Sequence, residues 1–129
     1  MQSRKFFFVK DKDTKEKLVK FALCQTFVLE APLVVVACTD SRIKRRYGAR
    51  GENLYTICNV AVALQNLMLQ AIELGLGACW IGAFDEKKVR EILKVPDYLI
   101  PIAIVPVGFP AESPETPPRV NKIEAIEYR

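Results

Sequence analysis

The sequence of 129 residues contains no histidine. This absence excludes a catalytic triad that relies on histidine, a zinc site with histidine ligands and a histidine general base. No two of the four cysteines have the C-x-x-C spacing of a redox or zinc motif, so no metal site is predicted. The cysteines are expected to be reduced and buried in the core, namely Cys24, Cys38, Cys58 and Cys79.

Long apolar runs are also absent. A transmembrane helix needs about 20 predominantly apolar residues, whereas the apolar run 33–38 has only the length of a strand. The N-terminal residues lack the apolar core and the cleavage site of a signal peptide. The net charge of +4 is too small to indicate a nucleic-acid partner. These observations predict a cytoplasmic protein that binds neither membranes nor nucleic acids.

The composition is that of one globular domain, since 50% of the residues are hydrophobic and 26% are charged. Apolar or alternating patterns predict five strands, at residues 5–9, 33–38, 78–84, 100–107 and 123–128. Helical periodicity predicts a first helix capped by Asp13, a long helix at 59–74 and a third helix at 86–93. The order of these elements predicts an α/β fold, with helices on the faces of a sheet.

Single residues refine this arrangement. Pro101 and Pro106 indicate that the fourth strand lies at a sheet edge or is interrupted. The basic, glycine-containing segment 39–53 is expected to be a loop. The helix 59–74 is apolar on nearly all sides, which is typical of a central helix or of one in a subunit interface. The last strand follows a proline-rich segment and could pair with its own sheet or with a partner's.

The sequence gives little support to acid–base chemistry by side chains. Its acidic pairs occur at turns and helix starts, where capping explains them. Gly75 and Gly77 do not belong to a dinucleotide fingerprint, because they follow a helix and Trp80 occupies the third glycine position. The basic cluster at 42–50 is either a solvated loop or a surface that attracts an anionic substrate or cofactor. If the chain is an enzyme, a bound cofactor carries the chemistry, and no catalytic side chain is predicted.

The segment 80–85 is the most informative one for function. Two small residues, an aromatic residue and a helix cap follow the end of a strand there. Small residues allow the backbone to approach a flat ligand closely, and a free N–H at such a turn can donate to a ring nitrogen. A plain strand-to-helix turn explains the same pattern equally well.

A central helix, the sequence G-L-G, the sequence C-W-I-G-A-F and a strand that ends in Gly-x-Pro follow one another within residues 60–112. This combination resembles the FMN-dependent nitroreductase family. The similarity extends upstream through the segment 25–36 and downstream to Arg119, so that it covers nearly the whole chain.

The resemblance implies a nitroreductase-like three-layer sandwich of the α+β type, in which helices flank a mixed sheet and two chains form an intertwined homodimer. It also implies FMN at the dimer interface. Trp80, Ile81, Gly82 and Ala83 would lie against the flavin ring, with a backbone N–H near Gly82 or Ala83 facing flavin N5. Arg119 matches the residue that binds the flavin phosphate, a role for which a guanidinium group is chemically suited.

The N-terminus departs from the family pattern. Gln2 matches the glutamine of a Q-P-W segment before the first strand, and it is the remaining flavin-binding candidate there. The Arg-rich flavin motif that members carry before that point cannot be mapped onto any residue. Pro117 stands where the family often has a second basic residue. The expectation is one nitroreductase-like domain, residues 1–129, without the usual N-terminal flavin-binding helices.

Two functions follow from the resemblance. The first is an FMN-dependent oxidoreductase that takes a hydride from NAD(P)H at flavin N5. It would pass the electrons to a nitroaromatic or quinone-like small molecule in a ping-pong cycle. The second is a homodimer that keeps the fold but has lost catalysis, either still binding flavin or purely structural.

Overall fold

A computed structural model of the chain describes residues 2–22 and 25–129. The strands are β1 (Arg4–Val9), β2 (Leu33–Asp40), β3 (Gly77–Ala78) and β4 (Leu99–Gly108). The helices are α1 (Lys12–Phe21), α2 (Lys44–Arg50), α3 (Thr56–Glu73), α4 (Glu86–Leu93) and α5 (Lys122–Ala125). Turns of 3₁₀-helix lie at Thr26–Leu29 and Ser41–Ile43, and a π-helical turn lies at Gly51–Tyr55. The predicted α/β class is confirmed.

The described strands form one sheet with the order β1-β2-β4-β3. Each pairing between them is antiparallel, so this part of the chain does not form the mixed sheet that the resemblance implies. The predicted strand at 123–128 is also not part of this sheet. That segment instead begins with α5 and has no pairing with the described strands.

The sheet is buried on both faces, as the continuous apolar run in β2 predicts. Successive residues of a strand point to opposite faces. Val35 and Ala37 of β2 lie in one core with α3, whereas Val34, Val36 and Cys38 lie in a second core with α1 and α4. The three layers of a sandwich, helix on sheet on helices, are therefore present.

β4 lies between β2 and β3, so of the two predicted alternatives the edge strand is wrong and the interrupted strand is correct. The register between β2 and β4 shifts by one residue, because Ala37 pairs with Ala103 and Cys38 pairs with Pro101. Such a bulge leaves a strand residue without a ladder hydrogen bond, which suits a proline that has no N–H. On the opposite side of β4, the carbonyl of Pro106 accepts a hydrogen bond from the N–H of Cys79 at 3.4 Å.

A helical run replaces the loop that the sequence predicts at 39–53. It consists of the turn at Ser41–Ile43, α2 and the π-helical turn, and it continues directly into α3. Lysine and arginine are good helix formers, and Gly48 has φ of 59°, which permits the kink inside α2. The long predicted helix is confirmed as α3, although it begins at Thr56, three residues earlier than expected.

The helical run Ser41–Glu73 contains an 18-residue window with a mean hydropathy of 1.3, which is long and apolar enough to cross a membrane when it is judged by length and composition alone. In the structure, Val60 and Leu64 of α3 are completely buried against the sheet. On the other side of α3, the exposed fractions of Val62, Leu69 and Ile72 are 62%, 56% and 69%. This helix is thus apolar on its core side and on its exposed side.

The start of α1 also differs from its prediction, because the N-cap is Asp11 rather than Asp13. The Asp11 carboxylate accepts hydrogen bonds from the N–H groups of Asp13 and Thr14 at 3.2 and 3.0 Å. A cap residue reaches the free N–H groups two and three positions ahead of it, which Asp13 could do only if α1 began two residues later. The bonds from Thr14 hold the pKa of Asp11 below its ordinary value.

The expectation of buried cysteines is correct for Cys38 and wrong for Cys58 and Cys79, which are exposed. Cys58 lies one helical turn before Val62, on the exposed side of α3, and Cys79 follows the short edge strand β3. Cys24 lies outside the described residues. Burial raises the pKa of the Cys38 thiol from 9.0 to about 12.

We expect thiol reagents to separate these cysteines. The reactive species is the thiolate, so at pH 8 iodoacetamide should label Cys38, which is buried and has a raised pKa, far more slowly than the exposed Cys58 and Cys79. Peptide mapping by mass spectrometry measures the three rates. Since the folded chain retains the Cys38 proton above pH 9, folding stability should also fall as the pH rises from 9. Equal labelling rates in the native chain would contradict the buried position of Cys38.

Candidate functional site

The predicted flavin segment lies along the sheet edge next to β4. Ile81 is 8% exposed, and its N–H donates to the Ile104 carbonyl at 2.9 Å. The Ile104 N–H donates back to the Ile81 carbonyl at 3.0 Å. This isolated bridge, together with the two-residue strand β3, replaces the longer strand that the sequence predicts at 78–84. The bridge holds the backbone on either side of Ile81 in place.

Gly82 and Ala83 follow the bridge and are exposed. Within the described residues, neither backbone N–H has an acceptor. The side chain of Trp80 is 40% exposed beside them, and a Cβ on Gly82 would lie 3.6 Å from the Trp80 Nε1. Two free donors, small side chains and an accessible indole ring therefore occur together. This arrangement suits a flat ligand that accepts hydrogen bonds at its edge.

Gln2 lies at the opposite edge of the sheet, two residues before the start of β1, and is exposed. Strand neighbours lie about 4.8 Å apart, so roughly three strand spacings, about 14 Å, separate Gln2 from the bridge at Ile81 across the strands. Ile81 pairs with Ile104, which lies opposite Val36 and Phe7 rather than Gln2, so the two positions are also offset along the sheet. Both face the same end of it, because the chain after Ile81 runs antiparallel to β4, towards Leu99. A ligand that contacts both would have to extend across the ends of β2 and β4.

The start of β1 is anchored by polar contacts. The Thr56 hydroxyl donates to the Ser3 carbonyl at 2.7 Å and accepts from the Asp40 N–H at 3.1 Å. The Asn59 Nδ2 donates to the Ser3 hydroxyl at 2.9 Å. Thr56 and Ser3 are 1% and 4% exposed, so these bonds are shielded from water. Together they fix the residue that follows Gln2 to the first turn of α3 and to the end of β2.

Replacing Thr56 with valine is expected to destabilise the fold by about 1–3 kcal/mol, because a buried hydroxyl with two partners is removed at nearly constant volume. Urea unfolding followed by circular dichroism measures the free energy of unfolding. The matched control is Thr26→Val, since Thr26 is exposed and its side chain has no hydrogen bond among the described residues. Equal stability of the two variants would refute the anchoring role of Thr56.

Arg119 lies in the exposed segment between β4 and α5. No hydrogen bond or ion pair joins its side chain to another residue that the structure describes. Among the described residues, no hydrogen bond or ion pair links Arg119, Gln2 and the segment at Trp80 to one another. Their common role as flavin ligands stays a prediction.

The predicted basic cluster at 42–50 is partly neutralised. Arg42 forms a two-pronged ion pair with Asp40, with its Nη2 at 2.6 Å from Oδ2 and its Nε at 2.9 Å from Oδ1. This contact lowers the pKa of Asp40 and raises that of Arg42. Lys44 pairs with Glu52 at 2.8 Å. The cluster is thus helical and exposed, with two of its cations already matched by carboxylates.

Comparison with known proteins decides the family. A family model described as the nitroreductase family matches residues 2–109, which is most of the chain. The chain belongs to the nitroreductase family. The resemblance seen in the sequence is thereby confirmed. The segment 80–83 is therefore interpreted as part of a nitroreductase fold.

Individual members agree with this assignment. The FMN reductase (NADPH) of Bacillus subtilis is 29% identical and covers 95% of this chain and 55% of its own length. The oxygen-insensitive NADPH nitroreductase of Salmonella typhimurium is 27% identical, with coverage of 93% and 53%. The structure of nitroreductase A from Vibrio parahaemolyticus matches with a TM-score of 0.88 at 25% identity, over 99% of this chain and 58% of that one. The chain spans about half the length of the curated relatives it matches.

Sequence reasoning missed the contacts that position Gln2 in this nitroreductase-family chain. Ser3 and its partners Thr56 and Asn59 are 53 and 56 positions apart. No local pattern links residues at such a separation. The one sequence feature that could have indicated these contacts is the group of polar residues just before the apolar part of the long helix. Polar residues are equally typical of an ordinary helix start.

Proposed function

We propose that the chain is an FMN-dependent NAD(P)H oxidoreductase of the nitroreductase type. The observation that carries this proposal is the pair of N–H groups at Gly82 and Ala83, which have no acceptor among the described residues and follow a fixed bridge. Family membership and the FMN and NADPH in the names of the Bacillus and Salmonella relatives support the choice of ligand. When bound, FMN would supply hydride transfer from NAD(P)H at N5 and electron transfer to a nitroaromatic or quinone-like acceptor in a ping-pong cycle.

The chain's own contribution is binding and electrostatics. The N–H of Gly82 or Ala83 would donate to flavin N5, and a donor fixed in advance stabilises charge that develops at that atom. The Trp80 indole would cover part of the ring. Gln2 would contact the flavin from the far edge of the sheet, and Arg119 would pair with the phosphate. No side chain is assigned to acid or base catalysis.

A homodimer is part of this proposal. The exposed side of α3 carries three large apolar residues, each more than half exposed, namely Val62, Leu69 and Ile72. Such a surface on a small domain is typical of a protein interface. A second chain packed on α3 would bury it and could complete the flavin site. We place this dimer in the cytoplasm, with a small-molecule acceptor and without a membrane or nucleic-acid partner.

Activity of the purified chain tests the proposal directly. We expect the chain to take up added FMN and to oxidise NADH or NADPH faster when a nitroaromatic or quinone is present. Uptake of FMN without turnover would favour a flavin-binding homodimer that has lost catalysis. A chain that takes up no flavin would contradict both versions and leave a structural role.

A further inference from the structure

A pocket of about 410 Å³ lies where the start of β1 meets the end of β2 and the loop between α4 and β4. Four of its lining residues carry positive charge: Arg4, Lys5, Arg42 and Lys94. These residues come from three separate parts of the chain, and folding places them around one concavity. Of these four residues only Arg42 belongs to the basic cluster 42–50, so this site goes beyond that segment.

The charges of this pocket do not balance. Arg42 is matched by Asp40 at 2.6 Å, and its guanidinium lies 4.0 Å from the centre of the Tyr98 ring. The side chains of Arg4, Lys5 and Lys94 have no carboxylate or hydrogen-bond partner within residues 2–22 and 25–129. Three like charges around one pocket repel one another, and an anion placed between them would relieve that repulsion.

The lining also suggests the kind of anion. A phosphomonoester carries a charge between about −1.5 and −2 at neutral pH and has three strong acceptor oxygens, which matches a set of three unpaired cations. Lysine binds such a group as a point charge, and arginine binds it as a planar fork. The rings of Phe7 and Tyr98 also line the pocket and offer an apolar wall to the organic part of a ligand.

We propose that this pocket binds the phosphomonoester of a nucleotide, namely the 2′-phosphate that distinguishes NADPH from NADH. The assignment to NADPH rests on the proposed function, whereas the anion site rests on the pocket alone. The pocket adjoins the start of β1, where Gln2 precedes Arg4 by two residues, so it lies at the sheet end at which flavin ligands are proposed. Lys5 and Lys94 would then select between the two electron donors.

The test compares ligands that differ by one phosphate. NADP⁺ and NAD⁺, and separately FMN and riboflavin, are titrated into the full chain by calorimetry, together with inorganic phosphate. The test variant is Lys5→Gln combined with Lys94→Asn, because Lys94 has φ of 50° and asparagine tolerates that conformation. The control variant is Lys10→Gln combined with Lys87→Gln, which removes the same charge from two exposed lysines outside the pocket. Arg4 is kept because it is close to Gln2.

We expect the wild-type chain and the control variant to bind NADP⁺ at least about tenfold more tightly than NAD⁺, since each pocket lysine contributes a charge–charge attraction. In the test variant this preference should fall to about twofold or less, with FMN uptake unchanged. Equal loss in both double variants, or no preference in the wild-type chain, would overturn the proposal. If the variant instead lost a preference for FMN over riboflavin, the phosphate site would stand and its assignment to NADPH would be wrong. FMN uptake is followed separately by absorbance, so failure of the proposed function is recognised independently.

Discussion

Replacing Gly82 with proline is expected to lower NAD(P)H turnover about 10²–10³-fold, because this change deletes one of the two backbone donors that we propose to face the flavin. The fold should tolerate the substitution. The residue before a proline is restricted to extended conformations, and Ile81 is already extended in its bridge to Ile104. A Cβ at position 82 meets the Trp80 indole only at an ordinary contact distance of 3.6 Å. Steady-state kinetics and thermal unfolding on the same sample separate lost catalysis from lost structure.

The matched control is Gly82→Ala, which adds a similar Cβ but keeps the N–H. It should retain turnover within a few-fold of the wild-type chain. A second variant, Ala83→Pro, removes the neighbouring donor and shows which of the two N–H groups matters. If both proline variants turn over NAD(P)H as fast as the wild-type chain, neither donor acts on the flavin.

Introducing glutamate at both Leu69 and Ile72 is expected to weaken the proposed homodimer at least about a hundredfold, because two carboxylates would be buried without partners in the apolar contact that we propose. Both side chains are more than half exposed on α3 in the single chain, so the fold itself should persist. Sedimentation velocity over a range of concentrations measures the dissociation constant.

The control for this variant is Gln70→Glu, which adds a charge at an exposed polar position of the same helix. It should leave the dimer intact. A wild-type chain that sediments as a monomer at micromolar concentration would contradict the interface altogether. A double variant that remains dimeric would place the interface on another surface.

The elements with strong periodic patterns were predictable from the sequence. β2 is a continuous apolar run and is buried on both faces, while α3 repeats apolar residues at helical spacing and ends at a glycine with φ of 71°. In both elements the spacing of the apolar residues in the sequence predicts which side chains are buried. The family resemblance at residues 60–112 added the layered fold, which periodicity alone does not determine.

The errors have identifiable physical causes. The segment 39–53 has a polar, basic composition that is shared by loops and by exposed helices, and only its continuity with α3 reveals the helix. Pro101 and Pro106 indicated either an edge strand or an interrupted one, and the bulge beside Pro101 admits a proline into the interior of the sheet, so only the edge alternative fails. Both outcomes depend on contacts made across the fold.

The candidate site was predictable in its local part only. Trp80–Ala83 could be proposed because the small and aromatic residues are adjacent in the chain. The pocket between Arg4, Lys5, Arg42 and Lys94 could not be, because about ninety positions separate its first and last residues and no local pattern relates them. Sites assembled from distant segments become visible only when the topology is known.

The central claim is that a flavin lies against the segment Trp80–Ala83. Trp80 is the only tryptophan in the chain, so the tryptophan fluorescence of the protein arises at this position. Titration of the purified chain with FMN should quench that fluorescence strongly and saturate at one flavin per chain, whereas Gly82→Ala should give the same curve. Flavin uptake that leaves the Trp80 fluorescence unchanged, or no uptake at all, would contradict the account.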